Sequence, residues 1–109
     1  MAGAVRLTLE AKRRGREALN AAFDAEYEAG EAQARSFENA EIETLAQTLG
    51  KAENLERLIG TKTGVVDSHK AFFPHDKARA IFVENAINAY IAAACAELGI
   101  NQPDLGSQR

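Results

Sequence analysis

Proline is the residue this chain most conspicuously does without: it has 2, and the first is Pro74. Nothing of that kind breaks a helix in the amino-terminal two thirds, so very long helices are open to it. Tryptophan is absent, with 2 tyrosines and 5 phenylalanines. The apolar content therefore rests largely on alanine and aliphatic side chains, and the expected core is shallow. Cys95 is the only cysteine, which excludes an intrachain disulfide and gives no sign of an oxidising compartment. The most apolar stretch, Ala86 to Ala96, is interrupted by Asn88 and is too short to cross a bilayer. Met1 to Arg6 lacks the charged end, apolar run and cleavage site of a secretory signal, so a cytoplasmic protein with no membrane segment is expected.

Signatures of catalysis are also scarce. No glutamate has a histidine three residues later, as carboxylate-bridged di-iron bundles require. Gly60-Thr-Lys-Thr-Gly64 has the wrong order for a phosphate loop, and Lys62-Thr63-Gly64 lacks the Ser-x-x-Lys that a penicillin-binding site needs. Asp67, His69, His75 and Asp76 resemble a metal or acid–base group, but no third histidine or cysteine lies near them. The plainer reading makes both histidines loop residues and gives Asp76 to a helix N-terminus. Cys95 lies in an alanine-rich apolar run with no histidine close by, which suits a packed thiol better than a nucleophile. The expectation is a protein that is not an enzyme, with no catalytic, cofactor or metal residues.

What the chain does have is helical periodicity. At 100° per residue Val5, Leu9, Leu19, Phe23, Tyr27, Ala34, Phe37, Leu45, Leu49 and Ile59 fall on one stripe. Good helix formers fill the sequence from Ala4 to Leu49, and Glu10–Arg14, Glu31–Arg35 and Glu53–Arg57 place an acid four residues before a base. Gly15 and Gly30 oppose a helix by about 1 kcal/mol each, yet neither shifts the phase of the stripe. One helix over that range would be roughly 70 Å long, against a diameter of about 35 Å for a compact chain of this size. Either it breaks between Gly30 and Ser36, or it stays continuous or gently bent and buries its stripe on another chain; the unbroken phase favours the second. Gly60 to Gly64 is the clearest turn, and Val65, Val66, Phe72 and Phe73 are expected to tuck the following segment against the helices. A last helix is expected from about Pro74 to Leu98, capped by Gly99 with Ile100 as the capping hydrophobe. Its polar side holds Lys77, Glu84, Asn85 and Asn88, and so wide an apolar arc opposite belongs at the centre of a bundle.

These features predict an all-α fold: a long amphipathic N-terminal helix, kinked or broken near 30–36, and an alanine-rich C-terminal helix in an antiparallel bundle completed by dimerisation. Residues 1–100 form one helical domain and 101–109 a flexible tail. Pairing two long helices with positions summing to 57 sets Arg16 against Glu41, Phe23 against Ala34 and Tyr27 against Gly30. That register gives a homodimer seam of Arg16, Leu19, Phe23, Tyr27, Gly30, Ala34, Phe37 and Glu41.

The net charge of −3 is unevenly spread. Lys12, Arg13, Arg14 and Arg16 cluster near the start, whereas 10 acids face 2 bases between Glu17 and Glu56. The function this predicts is a small regulatory or protein–protein interaction protein, homodimeric, whose acidic surface docks on a basic partner. The alternative is a small nucleic-acid-binding regulator that uses Lys12, Arg13, Arg14 and Arg16 on phosphates.

Overall fold

In the computed structural model the first helix, α1, spans Leu9–Ala29, and its start is set by Thr8. The Thr8 hydroxyl accepts from the Ala11 amide at 3.0 Å, an N-cap, and Glu10 sits in the positively polarised first turn. The structure describes residues 5–29, 35–72 and 74–100, and the side chains of these except 26–29 and 35–40. Within that range the chain is all-helical: α2 is Arg35–Gly50, α3 is Leu55–Phe72 and α4 is Lys77–Leu98.

The stripe of α1 holds at Leu19 and Phe23, which the chain covers itself, but Leu9, expected on it, is 86% exposed: it lies two residues, about 200° of helix, from the buried row that Leu7 and Ala11 begin. Leu7, Ala11, Leu19 and Phe23 are buried at four-residue multiples, together with Ile42, Leu45, Ala46 and Leu49 of α2. Lys12 Nζ donates to the Gly50 carbonyl at 2.8 Å, and Arg16 pairs with Glu43. The start of α1 therefore lies against the end of α2, and the two helices run antiparallel. The expectation of one continuous helix is corrected: α1 stops at Ala29, α2 resumes at Arg35, and Gly50 ends it. Folding back gives the stripe a partner within the chain, so no second subunit is needed to shield Leu19 and Phe23. The radius of gyration is 13.6 Å, against about 13 Å for a compact chain of this length.

The turn expected at Gly60–Gly64 is corrected as well, because these residues lie inside α3. Leu55, Leu58, Lys62 and Val66 form its buried row, spaced as a helix requires. That row escapes a hydrophobicity reading because a lysine fills one of its positions. Thr61 and Thr63 donate their hydroxyls to the carbonyls of Arg57 and Ile59, one turn back, and a side chain at Gly60 or Gly64 would meet only open space. Among the described residues the reversals on either side of α3 lie at 51–54 and at 74–76. The first is tied to the chain's start: the Leu7 amide donates to the Glu53 carbonyl at 3.0 Å and the Leu55 amide to the Val5 carbonyl at 2.9 Å. Residues 5–7 are thus extended, paired through an isolated antiparallel bridge between Arg6 and Asn54, rather than helical from Ala4.

At the second reversal Pro74 stays outside the helix, and α4 begins three residues later than expected. Asp76 is its N-cap, its carboxylate accepting from the Arg79 amide at 3.0 Å. The other end has the expected form. Gly99 takes φ 71°, its amide donates to the Ala96 carbonyl, and the Ile100 amide donates to the Cys95 carbonyl, which is the Schellman arrangement. Val83, Ala86, Ile87, Tyr90, Ile91 and Ala94 of α4 are buried against the other helices. With 22 residues and a mean hydropathy of 1.2, α4 is long and apolar enough to cross a membrane by length and composition. Here those side chains are occupied by protein.

The closest helix approach is that of α1 and α4, which are antiparallel, with Arg14 near Glu97 and Phe23 against Phe82. A Cβ built on Gly15 would stand 2.8 Å from two ring carbons of Tyr90, so only glycine leaves room for that ring. A glycine admitting a ring was the reason proposed for Gly30 in the dimer seam. The structure gives that role to Gly15, within one chain, while Gly30 lies outside the described residues, as does the tail expected over 101–109.

Candidate functional site

The residues expected to carry function divide into those absorbed by the fold and those outside the description. Leu19 and Phe23, expected between subunits, have no exposed surface. The side chains of Tyr27, Ala34 and Phe37 are outside the described set. Arg16 meets Glu43 rather than Glu41. Glu41 instead lies 3.2 Å from His69 Nε2 and pairs with Arg79. The antiparallel pairing foreseen between copies is therefore present two positions out of register, inside one chain.

The basic cluster is matched at close range. Arg13 pairs with Glu10 and with Glu17 at 2.6 Å; Arg14 lies 3.3 Å from Glu10 and 3.5 Å from both Glu17 and Glu97. Arg16 holds Glu43, and Lys12 the Gly50 carbonyl. Its hydrogen bond from Arg13 holds the Glu10 carboxyl below its ordinary pKa, and the same contact raises that of Arg13. Three arginines facing four carboxylates, Glu10, Glu17, Glu43 and Glu97, leave little net charge on this face for phosphates.

Of the four residues that resembled a metal site, Asp67 and His75 are exposed, Asp76 caps α4, and only His69 is drawn inward. His69 Nδ1 is 3.1 Å from the Val65 carbonyl, so both ring nitrogens face oxygen acceptors. Arg79, on the far side of Glu41, lies over the Phe82 ring at 5.5 Å, and Phe82 meets Phe23 edge-on at 4.8 Å. This is a structural relay that fixes α2, α3 and the start of α4 together. Among the described residues no three histidine, cysteine or carboxylate groups converge as metal ligands would. Cys95 is buried, and burial raises the pKa of its thiol, as it does that of the Tyr90 hydroxyl.

What remains open is the corner where α3 passes into α4. Phe72, expected to be tucked away, is 78% exposed, and Ile81 is 58% exposed. Beside them a groove of about 460 Å³ is lined by Lys70, Pro74, Lys77, Ala80, Ile81 and Glu84. Of these, Glu84 pairs at 3.4 Å with Lys62, which is buried in α3. Neither Lys70 nor Lys77 has an ion-pair partner among the described residues. The sequence did hold a signal for this corner. Ile81 falls on the polar side of α4, among Lys77, Glu84, Asn85 and Asn88, and an isoleucine out of phase with the core is a hydrophobe aimed at solvent.

Compared with known protein families, with characterised proteins and with solved structures, the chain matches none of them.

Proposed function

We propose that this chain is a small non-enzymatic helical protein that works by binding another protein, through the corner of Phe72 and Ile81. The observation that carries the reading is the exposure of these two large side chains together beside one groove, whereas Leu9, the other exposed large hydrophobe among the described residues, stands apart at the start of α1. Large hydrophobes presented together to water mark contact surfaces, and removing a partly buried ring from solvent on binding is a principal source of affinity. A regulatory role in the cytoplasm, exerted by forming a complex, fits this picture.

Two parts of the sequence reading take a changed form here. A homodimer would have to close through surface that is free, such as Leu9, Phe72 or Ile81, since Leu19 and Phe23 are spent on the chain's own core. The acidic stretch from Glu17 to Glu56 is partly engaged by the chain's own cations, at Glu17, Glu41 and Glu43, while the side chains of Glu26, Glu28, Glu31 and Glu38 lie outside the described set. Nucleic-acid binding draws no support from Arg13, Arg14 and Arg16, whose charges are matched by carboxylates, or from Lys12, whose ammonium is turned to the Gly50 carbonyl.

A photo-crosslinking side chain placed at Phe72 or Ile81 in cells should give one discrete protein adduct, and the same group at Thr63, on α3, should give none. Absence of an adduct from both corner positions, with the protein expressed and folded, overturns the reading.

A further inference from the structure

The groove at this corner says more about its occupant than exposure alone. Its walls are Pro74, Ala80 and Ile81, and its rim carries the ammonium groups of Lys70 and Lys77. The one acid there, Glu84, is held by Lys62. With Lys70 and Lys77 on the rim and Glu84 already paired, the groove is net positive before anything binds. A basic or neutral apolar partner would leave that charge uncompensated or add to it, whereas carboxylates would pair with it. Along α4 the groove reaches from Lys77 to Glu84, about 10 Å or two helical turns. Anchors at positions i, i+4 and i+7 of an incoming helix cover that length.

We infer that the groove between the end of α3 and the first turns of α4 seats an acidic amphipathic helix of a partner protein. Its apolar anchors pack on Ile81, Ala80 and Pro74, and its flanking carboxylates face Lys70 and Lys77. This rests on the protein-binding reading above and adds the chemistry of the partner. The polarity is the reverse of the one expected from composition: this chain contributes the cations and the partner the acids.

The probe is a fluorescein-labelled helical peptide with leucine anchors at helical spacing flanked by glutamates, compared with its counterpart carrying lysine in place of every glutamate. Fluorescence anisotropy should show the acidic peptide binding at least about tenfold more tightly than the basic one, with affinity falling as salt rises. Ile81→Glu and the double variant Lys70→Glu/Lys77→Glu should each weaken the acidic peptide by about tenfold or more. All three positions are exposed, so thermal melts should remain those of the parent and loss of binding will not reflect unfolding. Equal affinity for the two peptides, or an unchanged affinity in Ile81→Glu, overturns the inference. Mapping the adduct formed from Ile81 in cells separates the two levels of the argument. An acidic helix in the adduct supports both; a basic or extended segment, or a second copy of this chain, overturns the partner chemistry but leaves protein binding standing. No adduct from either Phe72 or Ile81 removes both.

Discussion

The two faces of α4 are built on opposite terms. Toward α1 it sets the Tyr90 ring on Gly15 and Phe82 on Phe23, leaving no space for one more carbon. Toward α3 it meets a buried lysine, and near its start it leaves an isoleucine in water above an open groove. Close packing is where a helix gains stability; an apolar surface left uncovered contributes nothing to the free chain and retains its value for a partner. The same helix thus holds the molecule together along one side and offers it along another.

Substitutions across the two faces should separate these roles. Phe23→Ala, on the packed face, should cost about 3–5 kcal/mol, whereas Phe72→Ala at the open corner should change stability by less than about 0.5 kcal/mol; urea denaturation of both variants measures the contrast. Equal effects would mean that Phe72 is part of the core. Gly15→Ala should destabilise by about 1–2 kcal/mol, because overpacking against the Tyr90 ring outweighs the gain of about 1 kcal/mol in helix propensity. Combining it with Tyr90→Leu should give a loss smaller than the sum of the singles, since the clash is gone.

On the α3 side, Glu84→Gln should cost about 1–3 kcal/mol by removing the carboxylate that faces the buried Lys62 ammonium, while replacing both partners together, Lys62→Met/Glu84→Leu, should be closer to neutral. Alkaline pH probes the packed face again. Burial raises the pKa values of Tyr90 and Cys95 above their ordinary positions. The stabilising contribution of each neutral form is complete below the unfolded-state pKa, about 8.5 for the thiol and about 10 for the phenol, and is lost as pH rises through the higher folded-state value. Melting temperature should therefore fall above about pH 9, and less steeply in Tyr90→Phe. The smallest effect belongs to Arg16→Glu. An exposed pair is worth no more than about 1 kcal/mol, and sedimentation should show the same mass before and after the change.

Residue pattern revealed some of this architecture and hid the rest for identifiable reasons. The cap at Gly99 and Ile100 was legible because a left-handed glycine followed by a hydrophobe is a local signal. The α1 stripe was legible too, since Leu19 and Phe23 are periodic. Whether it folded back could not be read from phase alone, because helices before and after a reversal can share one. The interior of α3 was concealed by Lys62 in a core position and by glycines at Gly60 and Gly64, whose preference for turns was overridden by the helix's buried row. The link from Val5 to Leu55 and the contact of His69 with Glu41 join residues far apart in the chain, where no spacing rule applies. At the open corner Ile81 was visible as a misplaced hydrophobe. Phe72 was misassigned, because the turn was set one helix too early.

The pairing of α1 with α4 also dictates when the protein can fold. The ring that seats on Gly15 belongs to Tyr90, so even after α2 has folded back, a nascent chain leaves the α4-facing side of α1 uncovered until residue 90 has been synthesised. At about 5–20 residues per second that interval lasts for seconds. During it, that side of the first helix is transiently exposed apolar surface of the kind that favours aggregation.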